Sequence, residues 1–74
     1  MRAAEFSVLA RLGQTAVVQP PWGVPYEGRI VALTNPRHGA HIRASDGLGI
    51  RYTDCTWITM LQDSDGEIIY RGEL

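Results

Sequence analysis

From residue 14 onward the chain alternates apolar and polar positions in short runs broken by Gly, Pro, Asn and Asp. That is the two-residue period of strands rather than the 3.6-residue period of helices. Residues 14–19, QTAVVQ, are rich in β-branched side chains and bounded by Gly13 and Pro20-Pro21, so they predict a strand that ends in a stiff segment. Residues 27–34, EGRIVALT, predict a second strand, with Ile30 and Ala32 on one face and Arg29, Val31 and Leu33 on the other. Both faces carry apolar residues, which suits burial on both sides. The opening segment fits two patterns. As a helix over residues 3–12 it puts Phe6, Val8, Leu9 and Leu12 on one arc; as a strand it alternates Phe6, Val8, Ala10 and Leu12 with Glu5, Ser7, Leu9 and Arg11. Its Ala, Leu, Glu and Arg content, with Gly13 as a stop, favours the helix.

Residues 40–53, AHIRASDGLGIRYT, predict a β-hairpin whose register follows from the turn. A two-residue Asp46-Gly47 loop would set Arg43 opposite Ile50 and Ile42 opposite Arg51, mixing charged and apolar residues on each face. A three-residue loop, Ser45-Asp46-Gly47 with Gly47 left-handed, instead pairs Ala44 with Leu48, Ile42 with Ile50 and Ala40 with Tyr52. It gives one wholly apolar face and gathers His41, Arg43 and Arg51 on the other, so it is the expected register. A polar corner at Asp54-Cys55-Thr56 leads to a strand over 57–62, WITMLQ. The turn Asp63-Ser64-Asp65-Gly66 then leads to the last strand over 67–71, with Leu61 facing Ile68 and Met60 facing Ile69.

Five to six short antiparallel strands and at most one helix predict a mainly β domain, a small barrel or sandwich whose terminal helix plugs an open end. Residues 1–74 make one such domain, with the β core over 14–71. A chain of 74 residues buries only roughly 60 % of its unfolded surface, so a partner or self-association would add useful stability.

Composition narrows the picture a little. Apolar residues are 45 % and charged residues 20 % of the chain, an ordinary globular balance. No apolar run approaches a membrane span, no signal-peptide pattern opens the chain, and the single Cys55 has no internal partner. A cytoplasmic protein, or a particle assembled in the cytoplasm, is the expectation. All seven basic residues are Arg, a bias that a GC-rich coding sequence also produces. Five Arg against Glu5 and Glu27 leave +3 on residues 1–43, and Arg51 and Arg71 against six acids leave −4 on 44–74, giving the overall −1. General affinity for nucleic acid or membranes needs a basic excess; a local patch does not.

Candidate chemistry is sparse. His38 and His41, three apart, lack the converging third and fourth ligands of a zinc site. The turn DSDGE resembles part of a calcium loop, but Leu61 and Gly72 occupy its first and twelfth ligand positions. Cys55 with His38 or His41 has no orienting third group or oxyanion motif. The sequence therefore predicts no catalytic set, cofactor or metal. Surfaces remain. Trp22 and Tyr26 lie in PPWGVPY, where three prolines hold an extended loop; it reads equally as a contact loop and as a lid in which Trp22 folds back over the core. The hairpin face with His41, Arg43 and Arg51, edged by Arg37 and His38, suits an anion or an acidic partner. Nucleic acid would also require aromatics interleaved with the cations, and in the expected register this face offers only His41.

Two stretches, AEFSVLARLGQTAVVQPP and WITMLQDSDGEIIYRGEL, resemble the small head-tail joining, or connector, proteins of tailed bacteriophages. The resemblance covers about half of the chain and implies a non-enzymatic β-barrel packed in a ring between portal and tail, working by protein contacts. YEGRIVAL followed by a hairpin is similar to SH3-like small barrels, a group too varied in function to select one. The expected function is a non-enzymatic module that binds protein partners or self-associates. A nucleic-acid-binding small barrel is the alternative.

Overall fold

The structure, a computed structural model, describes residues 1–72. Its elements run α1 (Ala3–Leu9), β1 (Thr15–Val18), β2 (Tyr26–Leu33), β3 (Gly39–Ala44), β4 (Ile50–Asp54), a 3₁₀ turn (Cys55–Trp57), β5 (Ile58–Gln62) and β6 (Ile68–Arg71). The six strands form one antiparallel sheet in the order β4-β3-β2-β1-β5-β6. A flat sheet of this width with one helix upon it would be a slab. The near-equal extents of 28 × 26 × 25 Å instead show the sheet curling round its inner face. The mainly β class is the one that the alternation predicts, and the short N-terminal helix is the one that the residue content of the opening segment favours.

The central strand β1 pairs with both β2 and β5, and its alternate residues Ala16 and Val18 are fully buried. Around them lie Ile30 of β2, Ile42 of β3, Ile58 and Leu61 of β5, and Phe6, which α1 inserts from outside the sheet. No helix among the described residues is long and apolar enough to cross a membrane.

The helix is shorter than the 3–12 expected. It ends at Leu9, with Ala10 already extended, and the cause is Gln14. This side chain, almost wholly buried, donates from Nε2 to the Leu9 carbonyl at 2.9 Å and accepts from the Arg11 N–H at 2.8 Å. Arg11 donates from Nη1 to the carbonyls of Val8 and Ala10. Two side chains thus satisfy the last carbonyls, so a glycine cap is not needed. Phe6 is buried, but Val8 and Leu12, expected on the same arc, are exposed.

Strand β2 is not buried on both faces. It alternates cleanly up to Ile30, and then a bulge at Val31 moves Ala32 opposite His41 on the outer face and returns Leu33 to the inner one. In the last hairpin Asp63 donates to Glu67 O at 2.7 Å and Gly66 to Asp63 O at 2.9 Å, so the loop is Ser64-Asp65-Gly66. Leu61 therefore faces Tyr70 and Met60 faces Arg71, after a bulge beyond the Gln62–Ile68 pair.

The expected register of β3 and β4 is overturned. Ala40 pairs with Thr53, His41 with Tyr52, Ile42 with Arg51 and Arg43 with Ile50. Gly47 is left-handed as expected, but the loop has four residues, Ser45 to Leu48, closed by a bond from Ala44 N to Gly49 O of 3.1 Å. Gly49 is left-handed too, with φ +95°. That second positive φ lets the chain accommodate one residue more than the three-residue turn, and Leu48 is left outside, 72 % exposed. A slip of one residue turns all of β4 over. Ile50, Leu48 and Tyr52 are consequently exposed instead of in the core, and Arg51 and Thr53 face inward.

Candidate functional site

The inward side chains of β4 are polar, and Tyr26 at the start of β2 accommodates both. Its hydroxyl lies 2.7 Å from Thr53 Oγ1, which satisfies a fully buried hydroxyl. The Arg51 guanidinium sits over its ring, 4.7 Å from the centroid, and reaches Asp46 Oδ2 at 3.4 Å. Arg51 is thus separated from His41 and Arg43, with which the expected register grouped it, and Tyr26 opens β2 and packs against the core, whereas Trp22 is exposed.

Across the outer face the rows run through several strands. Ile50, Arg43, Arg29, Thr15 and Gln62 stand side by side from β4 to β5. Arg29, which the sequence pattern did not single out, is directly opposite Arg43, and both are exposed. In the next row His41 faces Tyr52, their rings edge to face with centroids 6.0 Å apart. Tyr52 also meets Trp57 edge to face at 6.3 Å. Partial burial pushes the Tyr52 phenol up, and the Asp54 carboxylate adds to the shift. His38 and Arg37 are exposed in the loop from β2 to β3, with His38 Nδ1 3.5 Å from the Tyr52 hydroxyl.

Asp54 begins the 3₁₀ turn. Its carboxylate accepts from Thr56 N at 2.9 Å and from Thr56 Oγ1 at 2.8 Å. These bonds, the backbone one foremost, hold the Asp54 carboxyl below the usual range, helped by nearby His38. Cys55 is buried, and burial followed by the charge of Asp54 raises its thiol. Its link to His38 is a backbone one, Cys55 N donating to His38 O at 3.0 Å. Asp63, Asp65 and Glu67 bring carboxylate oxygens within 4.8 Å of one another at the β5–β6 turn. Gln14 donates to Asp63 and the Glu67 N–H to Asp65, as in an ordinary polar turn.

The proline-bounded loop resolves the two readings of Trp22. It does not fold back as a lid: Trp22 is 81 % exposed and Val24 82 %. Beside the loop an open groove of about 420 Å³ runs along the outer face of β1 and β5, bordered by Val17, Pro25, Thr59, Met60 and Arg71. Comparisons with known protein families, with curated proteins and with solved structures returned no match.

Proposed function

We propose that the chain is a non-enzymatic protein-interaction module whose principal contact element is the loop over residues 20–25. The observation that carries this reading is the pair of large apolar side chains, Trp22 and Val24, left four-fifths exposed on a segment stiffened by Pro20, Pro21 and Pro25. Exposing them costs free energy in water, and the stiff loop reduces the entropy lost when a partner covers them. The neighbouring groove extends the same surface and has Arg71 at its rim, so the partner that fits combines an apolar segment with an acidic group.

A head-tail connector working in a bacterial cytoplasm is the biological setting that the two terminal stretches suggest, and a small SH3-like barrel is the architecture that goes with it. In that setting the partner is a neighbouring copy or a portal protein. Size-exclusion chromatography with light scattering tests this. The proposal expects a concentration-dependent oligomer, or a complex with a portal protein, that Trp22→Ala weakens at least tenfold while leaving the melting temperature within a degree or two. A strict monomer at high concentration that forms no portal complex would remove the connector reading.

A further inference from the structure

We infer that the outer face of β2, β3 and β4 binds single-stranded nucleic acid, with Arg29 and Arg43 on phosphates, His41 beside them and Tyr52 as the platform for a base. This goes beyond the protein contacts assigned to the loop over 20–25, and it uses a different surface. Arg29 and Arg43 are direct cross-strand neighbours, an arrangement that repels. Among the described residues neither is in an ion pair. The acids bordering the face have other partners: Asp54 is held by Thr56, and Asp46 accepts from Leu48 N and Arg51. Glu27, two residues before Arg29 on the same face of β2, is the exception. The chain's other acid cluster, Asp63, Asp65 and Glu67, belongs to the turn between β5 and β6, at the other end of the strand order. An overall charge of −1 therefore conceals a local basic face.

The aromatic group decides the class of partner. Tyr52 is 42 % exposed and packs at a steep angle against both His41 and Trp57, so its ring is held in place beside the cations. An acidic peptide would use the guanidinium groups and leave that ring idle. Phosphates alternating with stackable bases use both. Two Arg and one His are too few for the many phosphate contacts typical of duplex binding, which points to a short single-stranded site.

Fluorescence anisotropy with a labelled oligothymidylate of about ten nucleotides tests the inference. Binding is expected at low salt, with a slope of log affinity against log salt of about −1.5 to −2. Arg29→Gln and Arg43→Gln should each flatten that slope by about 0.7. Tyr52→Leu should weaken binding roughly tenfold with little change in slope, its fold checked by circular dichroism. Arg51→Gln, altering the inner face, and Trp22→Ala, altering the loop, should leave binding unchanged, which separates this inference from the preceding one. No anisotropy change at low salt would overturn it. So would equal competition by poly-glutamate, or a result in which Arg43→Gln changes only the oligomeric state.

Discussion

The two hairpins of this protein are built on the same tripeptide and end differently. Ser45-Asp46-Gly47 and Ser64-Asp65-Gly66 form the same local turn: in each the Asp carboxylate accepts from the N–H two residues on, and the Gly is left-handed. After Gly66 the chain resumes pairing at once, Glu67 opposite Asp63. After Gly47 it does not, because Leu48 is extruded and Gly49, left-handed again, takes the place opposite Ala44. The extra glycine, two residues beyond the shared turn, sets the register of the whole of β4 and so selects the side chains that reach the outside. A turn motif alone does not fix a hairpin; the residues just after it do.

The largest expected effect that separates the two possible registers is in the core. Ile42→Ala should lose about 2–5 kcal/mol in chemical denaturation, as for any fully buried aliphatic residue, whereas Ile50→Ala, which the apolar-face register would also put in the core, should change stability by less than about 0.5 kcal/mol. Equal losses at both positions would restore the rejected register. Next comes the glycine itself. Gly49→Val forces a β-branched residue into the left-handed region and should cost about 1–2 kcal/mol or more. Deleting Leu48 should cost less, because it shortens the loop towards the three-residue form of the other hairpin and leaves a glycine opposite Ala44.

A smaller effect concerns the end of β4. Asp54→Ala removes both bonds to Thr56 and should cost about 1 kcal/mol in urea unfolding at neutral pH. The folded-state pKa of Asp54 is depressed, so its contribution is complete above the unfolded value of about 3.9 and is lost as pH falls through the lower folded value. The stability difference between wild type and Asp54→Asn should therefore shrink on acidification through that window. A difference independent of pH would show that the carboxylate charge is not what Thr56 holds. Smallest of all, Leu48→Asn should leave stability within about 0.5 kcal/mol, since its side chain already lies in solvent.

Much of the architecture is legible in the sequence: the strands at 14–19 and 27–34, the two Asp-Gly hairpins and the helix at the start follow from period and turn chemistry. Faces were harder, for a physical reason. The choice between registers rested on separating apolar from polar residues within fourteen consecutive positions, but the groups that make Arg51 and Thr53 acceptable inside lie elsewhere. Tyr26 supplies the hydroxyl for Thr53 and the ring beneath Arg51 from a strand more than twenty residues away. Gln14 ends the helix from only five residues beyond Leu9, but as a polar residue whose burial no period reveals. Trp22 was readable as a candidate contact, although its exposure was not. Arg29 was readable only as an alternating polar position, since its importance comes from the strand opposite it. The outer-face set of His41, Arg43 and Tyr52 belongs to the register that mixes charged and apolar residues on each face of the hairpin.

The composition of the outer face depends on that register, and the α-protons report it directly. Ala44 and Gly49 are a hydrogen-bonded pair, so His41–Tyr52 and Arg43–Ile50 are non-hydrogen-bonded pairs whose α-protons approach closely. A nuclear Overhauser spectrum of the labelled protein should show strong α–α cross-peaks between His41 and Tyr52 and between Arg43 and Ile50. Strong α–α cross-peaks joining Arg43 to Gly49 and His41 to Arg51 instead, the non-hydrogen-bonded pairs of the three-residue-loop register, would contradict the register, and with it the outer face on which the nucleic-acid inference depends.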